Sequence, residues 1–296
     1  MRVGISLVAV LIAVAVIAGC TGAPAKSTYS VDNAGILSLT CTPVTTSEQV
    51  LFTNETYTES KIVMHTTTGD VTAYLAAPKK PKAAIVYVPG AGETIAAHDG
   101  RMVQYTSAGY AFFFVDTRGR GGETPGVPFG QQMIQQDFTK FEAGDWPQYY
   151  LTICDLVNAR QLLTDRYSVP VYAMGSSNGG RYAAVAAGVD PKFAGYVGIS
   201  TSDWGVLDSV HAQGYTGDPL RFAMSLEPGT YLPEISPRPV WIFHSRADPI
   251  IPFDSGEQFF AEAKEPKNFT EFSGTHGINS DVDAKLMAQW AQIYGT

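Results

Sequence analysis

The stretch Met174-Gly175-Ser176-Ser177-Asn178-Gly179-Gly180 places Ser177 between two glycines at the spacing G-x-S-x-G. Residues 169–174 are apolar, β-branched and aromatic, as in a buried strand. Residues 181–188 are rich in alanine, which favours a helix. A strand, a serine at the corner and then a helix is the order of a nucleophile elbow, in which a sharp turn presents the serine hydroxyl. Ser177 is therefore the candidate nucleophile.

The other residues of this turn also have predicted roles. A strand that bends abruptly into a helix needs unusual backbone angles and little side-chain bulk, which Gly175 and Gly179 provide. Asn178 would be the first residue of the helix, where backbone amides have no partner within the helix and attract negative charge. We therefore expect the Asn178 amide to face an oxyanion formed beside Ser177.

The composition indicates a folded globular protein and argues against nucleic acid as a partner. Of the 296 residues, 45% are hydrophobic and 16% are charged, which is enough for a sizeable core. The formal net charge is −8 at pH 7. Proteins that bind phosphate backbones need clustered lysine and arginine instead.

The first 20 residues have the pattern of a targeting segment. Arg2 is followed by an apolar run over residues 3–18, which ends near Cys20. Ile17-Ala18-Gly19-Cys20 resembles a lipobox, in which cleavage before the cysteine leaves a lipid-modified N-terminus. An uncleaved signal anchor is the alternative, although a spanning helix needs about 20 residues. The expected location is extracytoplasmic: anchored to a membrane through Cys20 or a signal anchor, or secreted.

Residues 21–46 are rich in Thr, Ser, Ala, Gly and Pro, which predicts a flexible tether before a domain over residues 47–296. Cys41 lies in this tether and Cys154 lies in a helical pattern. In an oxidising compartment the two cysteines could pair. The alternative is a free, buried Cys154 among apolar neighbours.

Strands and helices alternate along the predicted domain. Alternating runs over residues 61–65 and 71–76 predict an N-terminal antiparallel hairpin. The alternation after it predicts an α/β fold, with a mostly parallel central sheet and helices on both faces. Residues 126–148 lack a clear period, and residues 200–239 form a candidate lid insertion. Further strands are expected at residues 83–88, 110–115, 193–199, 240–244 and 267–272, and helices at residues 96–108, 147–167, 254–264 and 281–293.

Ligands of such sheets bind at the carboxyl ends of the strands, where two further candidates follow predicted strands. A serine hydroxyl needs a base within hydrogen-bond reach and a carboxylate that orients the base. His276 lies in Gly274-Thr275-His276-Gly277 after the last strand, and is the candidate base. Asp248 lies in the proline-bounded loop after the preceding strand, and is the candidate acid.

Five motifs in this order resemble the α/β-hydrolase superfamily, and the resemblance extends from Ser60 to the C-terminus. The nearest branches are dienelactone-hydrolase-like esterases and the catalytic domain of prolyl-oligopeptidase-like enzymes. Many members have a histidine where this chain has Pro89, and the dienelactone branch proper has a cysteine nucleophile. The motifs are Pro89-Gly90-Ala91-Gly92, residues 116–121, the Ser177 turn, residues 247–252 and Thr275-His276-Gly277.

The resemblance implies a role for each candidate residue. Ser177 would be the nucleophile, Asp248 the acid and His276 the base. The amides of Ala91 and Asn178 would form the oxyanion hole. This order along the chain, serine then acid then histidine, is the one found in α/β-hydrolases.

Several residues have alternative interpretations. Asp203 follows the strand after the Ser177 turn and is a second candidate for the acid. Asp116 and Arg118 either clamp a substrate or hold their own loop by hydrogen bonds. Ser176 lies outside the motif register and is expected to pack. Structural roles are expected for the remaining histidines, His65, His98, His211 and His244.

The leading functional hypothesis is a serine hydrolase that cleaves a small carboxylic ester by acyl transfer. An exopeptidase is the first alternative, because Ser177-Asn178-Gly179-Gly180 resembles the turn of prolyl oligopeptidases. The second is a non-catalytic binding protein on a hydrolase fold. No metal site is expected, since the sequence has no ligand cluster such as H-E-x-x-H, and no cofactor is implied.

Overall fold

The computed structural model describes residues 28–120 and 122–295. The predicted targeting segment, including Cys20, and the first residues of the predicted tether lie outside this range. No helix in the described part of the chain combines the length and the apolar character that crossing a membrane requires.

The folded domain begins earlier than the sequence predicts. β1 (Thr28–Val31) and β2 (Leu37–Thr40) pair as an antiparallel hairpin, and Leu37 is buried in the core. Directly after β2, Cys41 forms a disulfide with Cys154, and their Cα atoms are 5.6 Å apart. The structure therefore corrects the prediction of a flexible tether from residue 28 onward, because core packing and a covalent bond fix this segment to the domain.

A nine-stranded sheet forms the centre of the described residues. Its strands are β3 (Thr45–Thr53), β4 (Tyr57–Thr66), β5 (Gly69–Pro78), β6 (Ala83–Val88), β7 (Tyr110–Val115), β8 (Val171–Ser176), β9 (Gly195–Ile199), β10 (Val240–His244) and β11 (Lys267–Glu271). They lie in the order β11-β10-β9-β8-β6-β7-β5-β4-β3. The strands from β7 to β11 along this order are parallel, and β3, β4 and β5 extend one edge with antiparallel pairing.

Helices cover both faces of the sheet, as the alternation predicts. The described helices are α1 (Asp99–Ser107), α2 (Gln131–Ala143), α3 (Gln148–Tyr167), α4 (Asn178–Val189), α5 (Val206–Ala212), α6 (Asp218–Leu226), α7 (Leu232–Ile235), α8 (Phe253–Ala261) and α9 (Ser280–Tyr294). Short 3-10 turns lie at Ile95–Ala97 and Pro228–Tyr231.

Two hydrophobic clusters fill the space between the sheet and these helices. Side chains alternate between sheet faces along a strand, so Val86 belongs to the cluster with α3 and α4, whereas Ile85 belongs to the cluster with α1 and α9. Every residue of β6, β7 and β8 is buried. These central strands give the loops at their carboxyl ends a rigid base.

Helix α2 is the element that the sequence interpretation missed, within the stretch described as lacking a period. Its buried positions are Met133, Asp137 and Phe141, and the aspartate interrupts the apolar stripe that identifies an amphipathic helix. Asp137 is buried because its carboxylate accepts the amides of Gln148 and Tyr149, at 2.7 and 2.8 Å, at the beginning of α3. The polar residue in the stripe is a helix cap.

Candidate active site

The candidate residues come together at one edge of the sheet. Ala91 follows β6, Ser177 follows β8, Asp248 follows β10 and His276 follows β11. Because these strands are parallel, their carboxyl ends lie at the same edge, where ligands of α/β sheets bind.

Ser177 occupies a strained corner between β8 and α4. Its backbone angles are φ 52° and ψ −122°, a region that residues with side chains rarely adopt and that is found at functional turns. Its amide donates to the carbonyl of Ile199 at 2.8 Å, and its carbonyl accepts the hydroxyl of Thr201 at 3.0 Å. The strain is held in place by these bonds to the neighbouring strand β9 and the residues that follow it.

Glycines are required on both sides of the serine because other backbone approaches closely. A Cβ atom on Gly175 would lie 2.3 Å from the backbone carbonyl of Gly179. A Cβ atom on Gly179 would lie 1.9 Å from the carbonyl oxygen of Val88 in β6. Real Cβ atoms do not approach so closely, so the helix α4 sits against β6 and β8 only when both positions are glycine.

Asp248 and His276 form a direct pair. The Nδ1 atom of His276 lies 2.9 and 2.8 Å from the two carboxylate oxygens of Asp248. A carboxylate only accepts, so Nδ1 carries a proton, and in the neutral ring Nε2 then has a free lone pair. The carboxylate of Asp248 is fully buried, and the ring of His276 is partly exposed.

Hydrogen bonds fix the Asp248 carboxylate in its ionised form. Burial raises the pKa of Asp248, but the amide of Ile251, the His276 ring and the amide of Ile250 donate to it and together hold the pKa below its usual value. The loop over residues 247–252 thus presents a charged acceptor to His276.

The structure records no hydrogen bond between the Ser177 hydroxyl and His276 in the described residues. Instead, two other serines join their loops. The Oγ atom of Ser176 accepts the amide of Ile278 at 3.3 Å, and the Oγ atom of Ser200 accepts the amide of Gly277 at 3.0 Å. Sequence reasoning assigned Ser176 only a packing role and did not identify Ser200. Its position directly after a predicted strand places it at the same sheet edge, but no local pattern in the sequence records its bond to Gly277.

The loop over residues 89–93 is held by Arg120. The guanidinium of Arg120 donates to the carbonyl of Pro89 at 2.6 Å, and also to the carbonyls of Gly90 and Glu93. Burial lowers the pKa of Arg120. The carbonyls of this loop face Arg120, which fixes the loop. Ala91 in this loop and Asn178, the first residue of α4, line the same cavity.

A cavity of about 190 Å³ lies beside these two residues. Its apolar wall consists of Pro128, Phe129 and Tyr182. Pro89, Arg118, Gly119 and Arg120 also line it, and no Asp or Glu does among the described residues.

The alternative candidates have other partners. The carboxylate of Asp203 accepts the amide of Gly229 at 2.7 Å and does not contact His276. Asp116 accepts the amides of Glu123 and Thr124, so it holds its own loop. Arg118 forms a buried ion pair with Asp155 at 2.7 Å.

The remaining histidines also have structural surroundings. His65 bonds to Asp70 and Ser47 on the exposed hairpin, and His211 lies at the end of α5. His244 is buried behind the loop over residues 247–252, where its Nε2 atom lies 3.0 Å from the carbonyl oxygen of Ile251. His98 lies in a buried polar network beneath the Ala91 loop.

The candidate lid over residues 200–239 consists of α5, α6, α7 and their connections. Phe222 and Tyr231 are buried in the core, and Tyr215 is exposed. Trp204 stacks on Phe129 with ring centroids 3.4 Å apart. None of the described cavity-lining residues belongs to the segment, so its contact with the cavity runs through Trp204 and Phe129.

Within the described residues, no three His, Cys, Asp or Glu side chains are grouped as a metal ion requires.

The sequence and the fold are both similar to known hydrolases. The model of the family Hydrolase_4, described as Serine aminopeptidase, S33, matches residues 79–213. This range includes the Ala91 loop and the Ser177 turn. No curated protein matches the chain in sequence.

Solved structures with this fold include esterases and a peptidase. The acetyl xylan esterase from Paenibacillus sp. R4 superposes with a TM-score of 0.67 at 15% identity, covering 85% of this chain and 89% of that one. Acetyl xylan esterase 1 from Thermoanaerobacterium sp. JW/SL YS485 has the same TM-score at 14% identity, covering 85% and 88%. The Pyrococcus horikoshii acylaminoacyl peptidase reaches 0.57 at 16% identity, covering 81% of this chain and 42% of that one. The chain therefore has the fold of these hydrolases, and residues 79–213 match a hydrolase family model.

Proposed function

We propose that the protein is a serine esterase in which Ser177 is the nucleophile, His276 the base and Asp248 the acid. The observation that carries this proposal is the Asp248–His276 pair, at 2.8 Å, at the same sheet edge as the strained turn of Ser177. Strain of this kind persists where the surrounding structure enforces it, and it concentrates at active sites.

The reaction follows from the protonation states. The Nε2 atom of His276 accepts the proton of the Ser177 hydroxyl as Oγ attacks the ester carbonyl. The amides of Ala91 and Asn178 donate to the resulting oxyanion. The C–O bond to the alcohol then breaks, and His276 returns the proton to the leaving oxygen. A water molecule, deprotonated by His276, then attacks the acyl carbon. The bond from that carbon to Oγ of Ser177 breaks, His276 returns the proton to Oγ, and the carboxylic acid leaves.

The lining of the cavity favours an uncharged or anionic substrate. A peptidase that recognises a free N-terminus must bind an ammonium group, which requires an anionic or acceptor-rich pocket. Among the described residues, the lining of this cavity contains no carboxylate, and the charge of Arg118 is already paired with Asp155. An ester with a small apolar group against Phe129 and Tyr182 fits this lining better than a charged amino terminus.

A peptidase acting on uncharged N-termini is the second candidate. It is favoured by the family model, which is described as a serine aminopeptidase, and by the acylaminoacyl peptidase among the similar structures. An acylated amino terminus has no ammonium charge, so the lack of a carboxylate in the lining does not oppose it. The two candidates differ in the bond that is cleaved, and both use the same three residues.

The test is covalent labelling followed by a substrate panel. The full chain is treated with a fluorophosphonate probe, and the labelled peptide is identified by mass spectrometry, alongside Ser177→Ala and Ser176→Ala. We expect labelling of the wild type and of Ser176→Ala, and none of Ser177→Ala. Labelling that persists in Ser177→Ala would remove the nucleophile assignment.

Hydrolysis of acyl esters and of peptide amides by the same preparations then separates the two candidates. Ester cleavage that disappears in Ser177→Ala supports the esterase. Cleavage of acylated peptide amides without esters favours the peptidase. A wild-type protein that neither reacts with the probe nor cleaves any substrate would be a binding protein on a hydrolase fold.

We also propose that the protein is attached to a membrane through a lipid on Cys20. The proposal rests on the lipobox-like sequence Ile17-Ala18-Gly19-Cys20 after an apolar run. Metabolic labelling with an alkyne fatty acid should mark the wild type and not Cys20→Ala. Equal labelling of both would refute the assignment.

A further inference from the structure

A chain of buried and half-buried polar side chains runs beneath the loop that carries Ala91. We name it the Arg101 network. It consists of Glu93 at the end of that loop, His98, Arg101 in α1, and Asp283 in α9, with the hydroxyls of Tyr87 and Tyr105 at its two carboxylates. The reaction proposed above uses none of these groups.

The direction of each hydrogen bond in the network is fixed by chemistry. The Nη1 atom of Arg101 lies 2.7 Å from Nδ1 of His98, and a guanidinium only donates. The Nδ1 atom of His98 therefore accepts, and the proton of this neutral ring is on Nε2. That atom donates to Glu93 at 3.1 Å. In a protonated ring, Nδ1 of His98 would also carry a hydrogen, and two donor groups would then face each other at 2.7 Å.

One end of the network fixes the Ala91 loop. The Glu93 carboxylate accepts from His98 and from the hydroxyl of Tyr87, each at 3.1 Å. Burial raises the pKa of Glu93, but these bonds, with one from the Gly90 amide, outweigh it and lower the pKa. Glu93 is thus held as a carboxylate at the end of the loop.

The other end holds the residues that follow His276. The Nε atom of Arg101 donates to both carboxylate oxygens of Asp283 at 3.0 Å, and its Nη2 atom donates to the carbonyl of Ile278 at 3.4 Å. Ile278 is two residues after His276. A Cβ atom on Gly277 would lie 3.8 Å from the Glu93 carboxylate, so the two ends of the network meet beside the histidine loop.

We propose that Arg101 is a positioning residue for the proposed hydrolysis, fixing the Ala91 loop and the His276 loop relative to each other. Through His98 and Glu93 it holds the first loop, and through Ile278 and Asp283 it holds the second. This role rests on the proposed function. A displacement of about 1 Å in a reacting group costs up to about 100-fold in rate, so a shared anchor for both loops affects kcat directly.

Arg101→Lys is the test, with Arg160→Lys as the matched control. Lysine keeps the charge and loses the fork that binds two partners at once. Arg160 pairs with Asp190 at 2.6 Å, and both are as buried as Arg101 and Asp283, but this pair contacts neither loop. We expect Arg101→Lys to lower kcat for an ester about 10- to 100-fold with KM within about twofold. Arg160→Lys should lose thermal stability and keep its kcat.

Glu93→Gln is the second variant, should Arg101→Lys fail to fold. It keeps the shape of the side chain and removes the charge that His98 and Tyr87 bind. A kcat loss with unchanged KM supports the network, whereas wild-type kcat in a folded Arg101→Lys or Glu93→Gln overturns it. A kcat loss of equal size in Arg160→Lys also overturns it, because the effect would then follow stability alone. Failure of the proposed function is recognised separately, by a wild type that is inactive toward esters and does not react at Ser177.

Discussion

The Oγ atom of Ser176 accepts a hydrogen bond from the backbone amide of Ile278 at 3.3 Å. This bond joins the end of β8 to the loop that carries His276, across 102 residues of sequence. Ser200 makes a parallel bond to Gly277 at 3.0 Å. His276 is therefore positioned beside the Ser177 turn without a hydrogen bond to Ser177 itself, which in free enzymes often forms only with substrate.

Ser176→Ala should lower kcat about 5- to 10-fold and leave KM within about twofold. The reason is that a buried amide left without an acceptor costs about 1–3 kcal/mol, which loosens the histidine loop. Ser200→Ala removes the matching bond and should act similarly, and the double variant should lose more than either single one. Steady-state kinetics on one ester measures all three. Wild-type kcat in both single variants would contradict the role of these serines.

The central part of the fold follows from local sequence patterns. The runs at residues 83–88, 110–115 and 240–244 coincide with β6, β7 and β10, because strands buried on both faces are continuous apolar segments. The hairpin and the mostly parallel sheet are confirmed as well. These features can be predicted because each depends on a short segment whose apolar residues show that it is buried.

Other features depend on distant partners and escaped prediction. The order of β1 and β2 was not predicted, because it depends on packing of Leu37 and on the disulfide between Cys41 and Cys154. The sequence left this pairing open against a free, buried Cys154, and the structure shows the pair. Helix α2 was missed because Asp137 caps another helix. The links from Ser176 and Ser200 to the histidine loop, and the network around Arg101, join segments far apart in sequence, and no local pattern records them.

Asp248→Asn should lower kcat by about 10³- to 10⁴-fold while the protein remains folded. The asparagine side chain can donate to Nδ1 of His276, which favours the ring tautomer with its proton on Nε2. That nitrogen then cannot accept the Ser177 proton. Asp203→Asn is the control, since Asp203 accepts the Gly229 amide and does not contact His276. A larger kcat loss in Asp203→Asn would transfer the acid role to Asp203.

The lowered pKa of Asp248 also predicts how the stability of the folded protein depends on pH. Its pKa in the folded protein is lowered, and the unfolded value is about 3.9. A carboxyl with a lowered folded pKa contributes stability that is fully present above about pH 4 and is lost as the pH falls through the folded value. Denaturation midpoints between pH 5 and pH 2.5 should fall less steeply in Asp248→Asn than in the wild type. Identical profiles would show that the bonds from Ile250 and Ile251 do not stabilise the ionised form.

The disulfide predicts a stability difference without a catalytic one. It joins two cysteines that are 113 positions apart in sequence, and a bond of this kind contributes about 2–4 kcal/mol. Replacing both cysteines with alanine should lower Tm by roughly 5–15 °C and leave kcat at 25 °C unchanged, because neither cysteine lines the site. Reduction of the wild type with dithiothreitol should give a similar shift, and the double variant should not respond to the reductant.

A substitution at Gly180 distinguishes a packing role of this glycine from a role in substrate choice. A Cβ atom at this position would lie 2.8 Å from Cβ and Oγ1 of Thr201, whose hydroxyl supports the Ser177 carbonyl. Gly180→Ala should therefore cost about 1–3 kcal/mol of stability with an unchanged ratio of ester to amide cleavage. Gly179→Ala should cost more, since its Cβ meets backbone of β6, and Gly100→Ala, which meets nothing within 4 Å, should be tolerated. Wild-type stability in Gly180→Ala, together with a changed ester to amide ratio, would instead make the second glycine a determinant of specificity.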